Sequence, residues 1–205
     1  MKRLARRVVD RVLELGEERQ HRLQQTSPAT KIALRTLFLR YREQAGSGAL
    51  PSVWDTGFRV FSQFDEDGVL LFLLASGGLE TRRFVDIGAG DGVWASNCAN
   101  VALNLGFHGL FVEARSVEVE RGRAFYASHP DSRERPPVFV QSFVTREAID
   151  DLVRGAGFEG EIDLLSIDID GNDYWIWEAL TVVSPRLVVV EAHTELGLAD
   201  SVAPY

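Results

Sequence analysis

The sequence predicts an α/β protein, a parallel sheet of about five strands with helices on both faces and a helical extension in front. Three observations predict it. From Arg82 onward, short apolar runs alternate with helical patterns, the order of right-handed βαβ units. The apolar runs are nearly continuous, as strands covered on both faces are. Polar or Gly-rich residues follow each run at once, where an open parallel sheet gathers its ligand-binding groups.

The elements follow in order. Leu4, Val8, Val9, Val12, Leu13 and Leu15 recur at helical spacing among Arg and Glu, giving an amphipathic helix over 2–24. Ser27 can cap a second helix and Pro28 suits its first turn; Ala33, Leu34, Leu37, Phe38 and Tyr41 form its apolar face, and "GSG" at 46–48 ends it. Residues 49–62 read as an irregular linker broken by Pro51 and Gly57. "FDEDGVLLFLLASGG" is a third helix stopped by Gly77 and Gly78. Then "RFVDIGAG" is a strand entering a Gly-rich turn, "VWASNCANVALNLG" a helix, "HGLFVEA" a strand and "SVEVERGRAFYAS" a helix. "PVFVQSFV" is a strand, "REAIDDLVRGAG" a helix, "EIDLLSIDID" a strand, "YWIWEAL" a helix and "PRLVVVEAH" a strand. The expected organisation is a basic helical extension over 1–48 and an α/β domain over 49–205.

Charge divides the chain the same way. Residues 1–45 hold 11 Arg or Lys against 5 Asp or Glu, and residues 46–205 hold 11 against 25. An acidic body without a basic aromatic track argues against nucleic-acid partners. No apolar run reaches the ~18 residues that span a bilayer, and the charged N-terminus does not look like a secretory leader. A cytoplasmic protein is expected. The only cysteine, Cys98, excludes an internal disulfide and is expected to be a small buried residue.

The strand exits carry the chemistry. The first ends in Asp86, Gly88, Gly90, Asp91 and Gly92, the second in Glu113, the third in Gln141 and Ser142, the fourth in Asp168 and Asp170, the fifth in Glu191 and His193. The glycines allow a tight turn and close approach of backbone to a ligand. Glu113 can accept hydrogen bonds from both hydroxyls of a ribose, and Asp86 can hold an ammonium group. The ensemble suits a nucleoside ligand with a positive charge and no pyrophosphate. Asp168 and His193 are the candidate catalytic residues. Asp168 is a candidate base or metal ligand, joined by Asp170 if the strand stays extended, and Glu191 and His193 could complete an oxygen-rich Mg²⁺ site. The competing reading is that Asp170, Asn172 and Asp173 form a turn and cap "YWIWEAL". Of Trp175 and Trp177, one is expected in the core and the other, Trp175, in an acceptor pocket; Trp94 is core or cofactor wall. His108 opens its strand at the wrong end for catalysis, and His21 and His129 read as surface residues.

"VDIGAGDG" resembles the first motif of class I S-adenosylmethionine-dependent methyltransferases, and "LFVEA" their ribose-binding acidic motif, within a likeness running from Phe61 to Tyr205. "SQFDEDG" and "SIDIDGNDYW" are similar to stretches of FkbM-like methyltransferases. The resemblance implies a Rossmann-like parallel sheet, S-adenosylmethionine as methyl donor, and a hydroxyl acceptor on a small molecule, glycan or secondary metabolite. It makes Asp86, Gly88, Gly90, Asp91 and Glu113 cofactor contacts and puts Ser142 near the adenine, without the acid many relatives carry there. That class adds two strands after the fifth. Here the sequence ends at Tyr205, so "LVVVEAH" is expected as an apolar edge covered by the N-terminal helices, a second copy or a partner chain. Two other functions compete: a nicotinamide-dependent oxidoreductase, whose fingerprint needs Gly where Val93 stands, and a non-catalytic methyltransferase-fold subunit.

Overall fold

The computed structural model describes residues 26–192. Helix α1 (Pro28–Ser47) starts as its sequence requires: Ser27 Oγ accepts from the Thr30 N–H, Pro28 occupies the first turn, and Gly48 closes the helix in the left-handed region. A short 3-10 turn, Val53–Asp55, interrupts the linker before α2 (Glu66–Gly77). Then come β1 (Arg83–Ile87), α3 (Ala99–Asn104), β2 (His108–Glu113), α4 (Ser116–Ser128) and β3 (Val138–Gln141). The chain continues through α5 (Ile149–Gly155), β4 (Gly160–Ile167), α6 (Asp173–Ala179) and β5 (Val183–Val190).

The five strands form one all-parallel sheet in the order β3-β2-β1-β4-β5, a Rossmann-like arrangement. Strand alternation sends side chains to two cores. Phe84, Phe111 and Leu164 face α1 to α4, where Leu34, Phe38, Leu71, Val101 and Tyr126 pack. Val85, Leu110, Val112, Leu165 and Ile167 face α5 and α6 with Ile149, Val153 and Ile176. The sequence expected α1 in an N-terminal extension whose apolar face needs cover; its Leu34, Phe38 and Tyr41 are buried in the first of these cores, and Tyr41 meets Phe72 edge-on. Ala33, expected on that face, is exposed.

Four expectations change. The helix over "VWASNCANVALNLG" is confined to Ala99–Asn104, because Gly92 and Ala95 take positive φ and Ala95 bridges to Ser62. Strand β4 ends at Ile167, not Asp170. His129 is buried at 5 % exposure, against the ring of Phe125. Neither tryptophan of α6 is core: Trp175 is half-buried under the Arg146 guanidinium, and Trp177 is exposed, as is Trp94.

Among the described residues the sheet has two edge strands, β3 and β5. The last of them, β5, is the one the sequence expected to need cover. It begins earlier than "LVVVEAH", with Pro185 and Arg186 in its first half, a proline and a charge of the kind that blunt edges. Arg186 is tied to Glu80 and the Gly77 carbonyl. Its apolar half flanks a groove of about 480 Å³ lined by Val69, Leu70 and Leu73 of α2. Helix α1 packs on α2 and α3. No helix among the described residues is long and apolar enough to cross a membrane. The expected helix over 2–24 and His193 lie outside the described residues.

Candidate functional site

The site forms where β1 and β4, adjacent in the sheet, release their chains. Gly88 follows β1 with φ 85°, and its N–H and that of Ala89 donate to the Val112 carbonyl. A β-carbon on Gly88 would meet the Asp168 carbonyl, so only glycine lets these two strand exits touch. Beside them opens a cavity of about 290 Å³ lined by Gly88, Glu113, Arg115, Ser142, Asp168 and Asp170, among others. That is the lower end of the ~300–1,000 Å³ usual for ligand pockets. A smaller space of about 180 Å³ continues it past Phe143 and Asn172 to Trp175. Phe143 is 80 % exposed, an apolar ring left in water at the cavity's rim.

Glu113 is buried at the end of β2. Its Oε2 accepts from the Gly90 N–H at 2.9 Å, and its Oε1 from the Arg115 N–H and Nε at 2.9 and 3.0 Å. Burial alone would raise its pKa; these hydrogen bonds and the guanidinium outweigh burial and hold the carboxyl below its ordinary range, so it is an anion. Arg115 was not singled out in the sequence, since a lone arginine after a strand carries no motif.

Asp168 leaves β4 with its N–H bonded to the Ile87 carbonyl. Asp170 reaches the same place through a turn, the alternative the sequence offered, and not by extension of β4. It takes φ 57° in a tight turn, closed by Asp173, whose two oxygens accept from the Ile169 and Gly171 N–H groups. Asp173 is therefore a buried loop clasp. Neither it nor Asn172 caps α6 in the expected way: Asn172 holds the cap position without a side-chain bond. Carboxylate oxygens of Asp168, Asp170 and Glu191 lie within 4.8 Å of one another. Partial burial, then the charges of Glu191, Asp170 and Asp173 and a hydrogen bond to Glu191 push Asp168 up to about 6.

Asp86 does not line the cavity. It is buried at 3 % exposure under the glycine turn, hydrogen-bonded to Ser166 and Cys98 and pushed up to about 7, chiefly by burial. Cys98 is buried as expected. Asp91 bends back on its own loop, accepting from the Val93 and Trp94 N–H groups. Ser142 lines the cavity while its Oγ donates to the Phe143 carbonyl. The structure thus gathers Gly88, Glu113, Ser142, Asp168 and Asp170 around one space, with Glu191 beside Asp168; Asp86, Gly90 and Asp91 shape the turn behind it.

Asp67, in "SQFDEDG", also escaped the sequence reading. It is 1 % exposed, and a single oxygen accepts from the N–H groups of Val60, Phe61 and Ser62 and from Ser62 Oγ, fastening the linker to α2. It is the second residue of α2, directly after Asp65 and Glu66, so nothing in the run of acids marked it as the buried one. No protein-family model matches this chain, and no curated protein matches it.

Proposed function

We propose that the chain is an S-adenosylmethionine-dependent methyltransferase that acts on a hydroxyl of a small molecule, sugar or secondary metabolite. The observation that carries this reading is Glu113. It is an ionised carboxylate at the end of β2, beside a glycine turn and over a cavity that Asp168 also lines. In that reading Glu113 receives the ribose hydroxyls, and Gly88, without a side chain, lets Asp168 stand beside the same cavity. When bound, S-adenosylmethionine supplies a methyl group already activated by its sulfonium. Asp168, near pKa 6, is mostly ionised at neutral pH and basic enough to take the proton of an acceptor hydroxyl.

The glycine turn favours this over a nicotinamide dinucleotide. A pyrophosphate needs free backbone N–H groups. Those of Gly88, Ala89, Gly90, Gly92, Val93 and Trp94 are all engaged within the protein. Asp168, Asp170 and Glu191 also offer oxygen ligands to Mg²⁺, which would lower the acceptor hydroxyl's pKa in place of a lone base.

Calorimetric titration tests the proposal. S-adenosylmethionine or S-adenosylhomocysteine is expected to bind and NAD⁺ not to. Binding of NAD⁺ alone overturns the methyltransferase reading; binding of none supports the non-catalytic subunit instead.

A further inference from the structure

The carboxylate that the proposed function reserves for ribose is already engaged. Glu113 Oε1 holds two donors from Arg115, the main-chain N–H and the side-chain Nε, and Oε2 holds the Gly90 N–H. Each carboxylate oxygen has two good acceptor directions. Oε1 is full, and Oε2 has one direction left. A vicinal diol that binds both oxygens therefore needs one bond on Oε1 to break. The Arg115 main chain is not free to leave, because its carbonyl accepts from the Glu118 and Val119 N–H groups at the start of α4. Its side chain is free to do so: it is 68 % exposed.

The guanidinium also has a second acid within reach, Glu118, which it would share with Arg121, whose Nη1 donates to Glu118 Oε1 at 3.3 Å. Arg115 Nη1 lies 3.9 Å from Glu118 Oε1, one turn along α4. On the other side, Nη2 lies 3.9 Å from where a β-carbon on Gly90 would stand, so the guanidinium hangs over the glycine turn at the cavity wall. Arg115 thus reaches from Glu113 at the cavity wall towards Glu118 outside it.

Resting on the cofactor reading above, we infer that Arg115 is a gate on the ribose subsite: its side chain occupies Glu113 in the free protein and swings to Glu118 when a nucleoside diol takes its place. Arg115 competes with the ligand for the acid that binds it. Removing the side chain then improves binding, the opposite of what loss of a ligand contact does. Salt acts the same way, since it weakens the exposed ion pair that the ligand must displace.

The experiment is titration of S-adenosylhomocysteine into wild type, Arg115→Ala, Glu118→Gln and Glu113→Gln/Arg115→Ala at two ionic strengths, with melting temperatures measured alongside. An exposed ion pair corresponds to about a two- to fivefold change in affinity. Arg115→Ala is expected to bind tighter by that factor and to lose the salt dependence of wild type. Glu118→Gln, which removes the alternative partner, is expected to bind more weakly at an unchanged melting temperature. The Arg115→Ala gain is expected to vanish on the Glu113→Gln background. Equal or weaker binding by a folded Arg115→Ala overturns the gate while leaving the cofactor reading intact. Absence of binding in wild type and Arg115→Ala alike overturns both, and binding only after Arg115→Ala supports both.

Discussion

The main-chain oxygen of Asp168 lies 1.7 Å from the point where a β-carbon on Gly88 would be. Two neighbouring strands deliver their most reactive exits into van der Waals contact, and the contact exists because one residue has no side chain. Gly88→Ala must therefore push β1 and β4 apart at the site and also adopt φ 85° with a β-carbon. A loss of about 2–4 kcal/mol in urea unfolding is expected, together with loss of nucleoside binding. Unchanged stability would show that the strand exits separate without cost.

Glu113→Ala is expected to weaken S-adenosylhomocysteine binding by roughly 1.5–3 kcal/mol, the range for hydrogen bonds to a charged group. Titration decides it. Unchanged affinity removes Glu113 from the ribose subsite.

Asp168→Asn is expected to fold normally and to lose most methyl transfer. In wild type the rate should rise with pH through about 6, where Asp168 ionises, and then level off. EDTA separates the two chemistries: loss of activity restored by Mg²⁺ assigns Asp168, Asp170 and Glu191 to a metal, and indifference leaves Asp168 as a base. Full turnover by Asp168→Asn removes it from the reaction.

Asp86 and Asp168 both bind their protons more tightly in the folded chain than carboxyls ordinarily do. Raised folded values mean that stability from these groups is fully present below about pH 4 and declines as pH rises through 6 and 7. For Asp86 the full effect is on the order of 4 kcal/mol. Asp86→Asn should therefore flatten the fall in stability between pH 5 and 8 measured by chemical denaturation. An identical slope in the variant places the titration elsewhere.

Removing residues 1–47 is expected to uncover the apolar surface that Leu34, Phe38 and Tyr41 bury against α2 and α3 and to cause aggregation. Phe38→Ala alone should cost about 3–5 kcal/mol. A stable, monomeric shortened chain would show that α1 is not needed to close the core.

The alternation of strands and helices was legible because each strand is an uninterrupted apolar run and each exit is polar. Gly88, Glu113, Ser142 and Asp168 could be placed from that rule alone, since a parallel sheet sends every exit to one end. Asp170 was expected there by extension of the strand, but it arrives through a turn in which it takes φ 57°, a geometry strand periodicity cannot encode. Arg115 could not be placed, because its meaning lies in a bond to a residue already assigned another task. The acidic excess of the body served only to argue against nucleic-acid partners, yet part of it is internal carpentry. Asp67, Asp163 and Asp173 are buried, and each collects backbone N–H groups from a loop. His129 looked like surface because a single histidine in a polar stretch carries no sign of the ring that will pack against it.

The order β3-β2-β1-β4-β5 also fixes when in folding the site can exist. β1 meets β2 after one short helix, but Phe84 meets Leu164 only after two strands and three helices have intervened. Closing that long loop carries the larger entropic cost and is repaid only once both strands are in register. Gly88 and Asp168 therefore come together at the least local strand pairing of the described sheet. A fragment or collapsed intermediate holding either half alone presents a glycine turn or an acidic turn, and no cavity between them. Ligand binding at this place distinguishes a finished sheet from one that is merely compact.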